Sequence, residues 1–370
     1  MRLKFWSAVC CCLLLGASPS LAAKCIRGPW LQNARVGSVL VRWELDQVGP
    51  SAVEYGLVGS KEMTRVASPF KGRMHRAGLG KLQPGARYRY RILAGDQPAS
   101  AEFQFRAAPE NASKFTFAVF GDFGNGSKEQ FAVARLLEKS PAEFALLTGD
   151  LIYGRGELEN YDLRFFAPYR HSLPRMVFWP ALGNHDNDTK QGAALLALFD
   201  PPANGPKSVQ SGRNYSFDYG NAHIAAIDSN AGADLLKNDI GPWLLKDMQA
   251  SDKPWKFVFF HHPPYSSAGH GENLKMKAVM VPIFQQAKID LAFAGHDHSY
   301  ERSKPLGGVI YIVSGNGGNR LYEHKHPHDY TAKFYNAKHG LTLVTIEGGK
   351  LLLRHVNVDG EEIDRLALSK

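Results

Sequence analysis

Residues 115–124 read Phe-Thr-Phe-Ala-Val-Phe-Gly-Asp-Phe-Gly, and this stretch decides the fold. Its first six residues are a near-continuous apolar run, the pattern of a strand covered on both faces. The run stops at Gly121, where the chain is free to turn sharply, and it delivers Asp122 into that turn. Working outward, the same device recurs. Phe144–Leu147 leads into Gly149-Asp150-Leu151-Ile152-Tyr153, and Val177–Trp179 leads into Gly183-Asn184-His185-Asp186. Trp255–Phe260 leads into His261-His262-Pro263-Pro264, and Ile289–Ala294 into Gly295-His296-Asp297-His298. Helical patterns lie between: Phe131, Ala134, Leu136 and Leu137 follow a Ser127/Gln130 capping box, and another runs from Leu274 to Phe284. Strands alternating with helices predict an α/β domain. In open α/β sheets ligands bind outside the carboxyl ends of the strands, so side chains distant in sequence are expected to meet in one patch.

Upstream the texture is β. Val39–Trp43 is a strand-like run, and Arg87–Ile92 and Glu102–Arg106 alternate charged and apolar residues after a Pro84-Gly85 turn. Several short strands over about 85 residues predict a small antiparallel sandwich. The small, polar segment 107–113 marks its end.

The first residues read as a targeting segment. Arg2 and Lys4 precede an apolar stretch from Phe5 to Gly16, and Ser20-Leu21-Ala22 offers a small-x-small cleavage site, the order of a secretory signal peptide. The stretch is too short to span a bilayer, which needs about 20 apolar residues, and no later segment reaches that length. The expected location is secreted or periplasmic, after cleavage. Cys10, Cys11 and Cys12 leave with the peptide, so Cys25 alone remains and no internal disulfide can form. The expected segments are 1–22 signal peptide, 25–109 β-sandwich, 114–358 α/β domain and 359–370 C-terminal tail.

Composition excludes long disorder: 44% of residues are hydrophobic and 21% charged. The formal charge is +9, and removing Arg2 and Lys4 leaves 42 basic against 35 acidic residues, or +7. That balance favours the arrival of anions. No run of Lys and Arg interleaved with aromatics suggests a nucleic-acid groove. Gly315-Asn316-Gly317-Gly318-Asn319 lacks the Lys-Ser/Thr ending of a phosphate-binding loop and reads as a turn packed near the site. His324, His326 and His328 read as a solvated loop.

Taken singly, each Gly-Asp is a turn and each histidine an ordinary polar residue. Two aspartates, an asparagine, a tyrosine and three histidines, each at a strand end and in this order, point to metal binding. The segments resemble the metallophosphoesterase superfamily, and specifically the purple acid phosphatases. That family's pattern is met by Asp122 with Gly124, Gly149-Asp150 with Tyr153, Gly183 through Asp186, Val258 with His261, and Gly295-His296 with His298. Arg27–Asn33 resembles the opening of the family's fibronectin-III-like module, and Tyr300-Glu301-Arg302 also fits.

The resemblance implies a metallophosphoesterase αββα sandwich preceded by a small all-β fibronectin-III-like sandwich. It assigns Asp122, Asp150, Tyr153 and His298 to a ferric ion. It assigns Asp150, Asn184, His261 and His296 to a divalent ion (zinc, manganese or ferrous iron), with Asp150 as the bridge. Hard anionic donors in the first set suit a +3 charge, and the more neutral second set suits a divalent ion. The implied activity is that of a binuclear acid phosphatase hydrolysing phosphate monoesters with a metal-bound hydroxide nucleophile. The substrate would be a small phosphate ester. His185, following Asn184 and oriented by Asp186, is expected on a phosphate oxygen. His270, freed by flanking glycines, is expected to protonate the leaving group. His262 is expected to point away from the site by strand alternation. A phosphodiesterase or nucleotide phosphohydrolase of the same superfamily is the alternative. Those phosphodiesterases typically carry histidine where Gly124 stands and lack the equivalent of Tyr153.

Overall fold

A computed structural model describes residues 23–111 and 114–370. The expected signal peptide lies outside the described residues. The N-terminal strands are β1 (Cys25–Arg35), β2 (Ser38–Leu45), β3 (Ser51–Leu57), β4 (Thr64–Ala67), β5 (Met74–Leu79), β6 (Arg87–Ala94), β7 (Gln97–Pro98) and β8 (Phe103–Arg106). β1, β2 and β5 form one antiparallel face. β3, β4, β6, β7 and β8 form the other. Buried Val41, Trp43, Val53, Tyr90 and Ile92 fill the space between, as the alternation in β2 and β6 requires.

Then come β9 (Lys114–Phe120), β10 (Phe144–Leu147), β11 (Val177–Pro180), β12 (Tyr215–Tyr219), β13 (Ala222–Ala226), β14 (Trp255–Phe259) and β15 (Leu291–Ala294). β16 (Tyr300–Ser303), β17 (Ile310–Ser314), β18 (Thr331–Tyr335), β19 (Gly340–Glu347), β20 (Lys350–Asn357) and β21 (Glu362–Ser369) complete the set. One sheet has nine strands in the order β21-β20-β19-β9-β10-β11-β1-β2-β5, and another has seven in the order β12-β13-β14-β15-β17-β16-β18. The two face each other. Phe117 of β9 packs 5.6 Å from Phe257 of β14 and 6.2 Å from Phe293 of β15, ring centre to ring centre. On the outer face of the first sheet, Ala118 and Phe120 meet Val133 and Leu137 of the helix Lys128–Lys139. On the outer face of the second, Val258 and Ala292 meet Met276 and Met280 of the helix Leu274–Gln286. Both faces of β9 are thus buried, which is why its sequence is apolar without alternation.

The capping box forms in altered shape. Ser127 Oγ accepts from Gln130 N at 3.1 Å, but the Gln130 side chain accepts from Gly126 N at 2.8 Å.

One expectation needs correction. Residues 359–370 are not a tail: Glu362–Ser369 is an edge strand paired antiparallel with β20. The N-terminal sandwich is also joined to the larger domain, because β1 pairs in parallel with β11 at Leu31 and Val177 and extends the nine-stranded sheet. Side chains reinforce that seam. Arg27 is bonded to Asp162 at 2.5 and 2.7 Å, and Arg42 and Arg76 share Asp200 at 3.0 and 3.1 Å. No helix among the described residues is long and apolar enough to cross a membrane.

Candidate metal centre

Three of the five strand ends turn through strained backbone. Asp122, Asp150 and His296 have φ of 60°, 53° and 68°, the left-handed region that non-glycine residues rarely adopt. The turns need bare neighbours: a Cβ on Gly183 would lie 2.0 Å from Asp150 Oδ1 and 2.2 Å from Asp150 N. A Cβ on Gly124 would lie 1.6 Å from Leu151 O.

The side chains converge in two groups. In the first, Tyr153 Oη lies 2.8 Å from His298 Nε2 and 3.3 Å from Asp122 Oδ1, and His298 Nε2 lies 3.6 Å from Asp122 Oδ1. In the second, His261 Nε2 lies 2.9 Å from Asn184 Oδ1, 3.2 Å from His296 Nδ1 and 3.4 Å from Asp150 Oδ2. Asp150 joins them, since one atom each of Asp122, Asp150 and His261 fall within 4.8 Å of one another.

Hydrogen bonding shows what the cluster can hold. His261 Nδ1 is 2.8 Å from Thr148 O, and His298 Nδ1 is 2.7 Å from Arg320 O. A carbonyl only accepts, so both Nδ1 atoms carry hydrogen and donate. In the neutral rings each Nε2 is then a lone pair: that of His298 can accept from Tyr153 Oη, 2.8 Å away, whereas that of His261 faces the acceptors Asn184 Oδ1 and Asp150. Such a meeting of lone pairs is stable only around positive charge, a proton or a metal ion, and carbonyl-anchored imidazoles are the usual arrangement behind metal ligands. The donor set therefore fits a pair of cations.

Electrostatics agree. Burial pushes the Asp122 pKa well up, and the nearby Asp150 charge adds to it against His261. Burial would also raise Asp150, yet the charge and hydrogen bond of His261 hold it below the usual carboxylate range. His261 in turn is lifted to about 9 because Asp150 and Asp122 outweigh its burial. One imidazolium serves two buried carboxylates, so the pocket is short of positive charge. Burial, then the Asp122 and Asp150 charges, drives the Tyr153 pKa up, so a phenolate there needs a strongly charged cation beside it.

His185 lies beside this cluster, its Nδ1 2.7 Å from Gly154 O and its ring 4.6 Å from that of Tyr153. It is not oriented by Asp186. That carboxylate is buried and accepts from Gly183 N at 3.0 Å, Leu151 N at 3.0 Å and Ile152 N at 3.2 Å. Asp186 thus clamps the loop of Asp150 to the loop of Asn184. His270 stacks on His296 at 4.2 Å. Its loop is anchored where freedom was expected: Asp297 accepts from His270 N at 2.8 Å and Ser266 Oγ at 2.5 Å, while Glu301 accepts from Ser267 N and Oγ at 2.7 Å each.

His262 also departs from expectation. β14 ends at Phe259, so alternation no longer governs residues 261–262, and the His262 ring lies 4.6 Å from that of His296. Two further residues carried no sequence signal. Tyr322 stacks on His298 at 4.1 Å. Arg213, nearly buried, joins Asp228 at 2.7 Å and Asn187 at 2.6 Å, bracing the short helix Asn184–Asp188. The glycine-rich turn does pack against the site, with Asn319 N bonded to Asp122 O at 2.9 Å. His324, His326 and His328 are exposed.

Residues 115–300, half of the chain and all of the clustered side chains, match the calcineurin-like phosphoesterase family. The chain belongs to that family. Among curated calcineurin-like relatives, it is 32% identical over 274 residues to purple acid phosphatase 21 of Arabidopsis thaliana, covering 67% of this chain and 59% of that protein. It is 29% identical over 262 residues to phosphoenolpyruvate phosphatase of Allium cepa, covering 66% of this chain and 54% of that protein. The chain therefore spans between half and two thirds of the length of these relatives. Its fold is shared with purple acid phosphatase from yellow lupin (Lupinus luteus) seeds, at a TM-score of 0.79 and 21% identity over 92% of this chain and 74% of that one.

Proposed function

We propose that the protein is a binuclear-metal acid phosphatase that hydrolyses small phosphate monoesters. The observation that carries this reading is the convergence of two donor sets that share Asp150, each built around a carbonyl-anchored histidine. Asp122, Asp150, Tyr153 and His298 would hold the first ion, and Asp150, Asn184, His261 and His296 the second. The phenol and carboxylates of the first set favour ferric iron, and the second set favours zinc, manganese or ferrous iron. Bound there, such a pair supplies charge neutralisation for the phosphoryl oxygens and lowers the pKa of water for attack on phosphorus.

The chain's own residues do the rest. His185 donates to Gly154 O through Nδ1, which fixes the ring with Nε2 as the atom free to meet a phosphate oxygen. His270, exposed and stacked beside the second donor set, would give a proton to the departing alkoxide. Asp297 and Glu301 fix its loop, which spares the ordering cost when substrate binds. A phosphodiesterase-type histidine at position 124 is sterically barred by Leu151 O, which supports the monoester reading over the alternative. The kinship with a phosphoenolpyruvate phosphatase is in keeping with small, anionic monoesters. The leader-like residues 1–22 support export, and so a secreted or periplasmic location.

Metal analysis with a visible spectrum tests the proposal. Purified protein should hold two metal ions per chain, one of them iron, with a violet band that Tyr153→Phe abolishes. Asp150→Ala should lose both ions and the activity. Colourless protein with two zinc or two manganese ions would refute the iron assignment, and full activity in Asp150→Ala would refute the shared bridge.

A further inference from the structure

Resting on the phosphatase reading above, we propose that His262 is a substrate-binding residue of the same site, a neutral imidazole that donates a hydrogen bond through Nε2 to a phosphate oxygen. The hydrogen-bond inventory around Ser229 carries the assignment. Ser229 Oγ lies 3.2 Å from His261 N, 3.0 Å from His262 N and 2.9 Å from His262 Nδ1. A hydroxyl oxygen has two lone pairs and one proton. The two backbone N–H groups occupy the lone pairs, so the proton is donated to the one acceptor left, His262 Nδ1. That fixes the tautomer: Nδ1 holds a lone pair and Nε2 holds the hydrogen.

Nε2 has no hydrogen-bond partner among the described residues, and it is not an enclosed atom. The ring is half-buried against the second donor set, 4.6 Å from the ring of His296 and 4.9 Å from that of His261. A ring nitrogen of His262 falls within 4.8 Å of ring nitrogens of both. Distance alone would admit His262 as a further metal ligand. The tautomer argues otherwise, because an N–H repels a cation and attracts an anion. The second set also has its four donors in Asp150, Asn184, His261 and His296 without it. A monoester presents oxygens with surplus lone pairs beside these ligands, and an N–H there is the matching partner. Chain direction makes this possible: after β14 ends, residues 261 and 262 lie in a bend, and Ser229 bonds both backbone N–H groups.

Inorganic phosphate is the probe, measured by calorimetry and as a competitive inhibitor of the metal-loaded, full-length protein. His262→Ala should weaken phosphate binding about 10- to 100-fold, the worth of one hydrogen bond to a charged group, while retaining two metal ions per chain. His262→Gln, whose amide nitrogen reaches the place of Nε2, should recover most of the loss and also guards against misfolding of the alanine variant. Unchanged phosphate affinity in both variants would overturn the proposal. Loss of one metal equivalent in His262→Ala would overturn it in favour of a ligand role. Wild-type protein that binds neither metal nor phosphate would instead remove the phosphatase reading, and this inference with it.

Discussion

His223 on β13 offers a quantitative test of the electrostatics, well outside the donor sets. Its ring is 7% exposed, with Nδ1 2.6 Å from Asp218 and Nε2 2.8 Å from Asp247. Burial alone would lower its pKa, but the hydrogen bonds and charges of the two carboxylates prevail and raise it from 6.5 to about 9. Because the folded value exceeds the unfolded one, the native state binds the proton more tightly. The stabilisation is therefore fully present below pH 6.5 and is lost as pH rises through 9. At 1.36 kcal/mol per unit, the shift corresponds to about 3 kcal/mol below pH 6.5, falling to about 1.5 kcal/mol near pH 8 and about 0.4 kcal/mol at pH 9. Urea unfolding of wild type and His223→Gln across pH 6–9 isolates the contribution, since other titrating groups cancel in the difference. The gap should shrink by about 2–3 kcal/mol over that range. A gap independent of pH would refute the reasoning.

Two further outcomes follow from the geometry. Gly124→Ala should destabilise by about 3 kcal/mol or more in urea unfolding, because its Cβ would meet backbone at 1.6 Å and no rotamer can relieve it; wild-type stability would show that the Asp122 and Asp150 loops are not so closely packed. His270→Ala should lower turnover about 100-fold on alkyl phosphates and less than about 10-fold on aryl phosphates, whose leaving groups need no proton; equal losses in steady-state assays would remove it as the acid.

The structure locates its unforeseen features where long-range contacts matter. The role of Asp186 was not legible, because the N–H groups it accepts from belong partly to Leu151 and Ile152, some 35 residues away. Arg213 and Tyr322 sit in loops with no periodicity, and they acquire meaning only beside Asp228 and His298. The C-terminal edge strand alternates weakly and reads as a tail until β20 supplies its partner. His262 was misread because a rule valid inside a strand was carried past its end.

The amino-acid sequence by itself determined the strand ends and their chemistry. Apolar runs, glycine turns and the candidate ligand that follows each are adjacent along the chain, so local physics suffices to read them. Tertiary structure alone decided which ring nitrogen carries a proton, which carboxylate clamps the loops, and how the N-terminal strands extend the larger sheet. Those properties depend on partners far apart along the chain, 113 residues in the case of His261 and Thr148, and no local pattern encodes a distance between them.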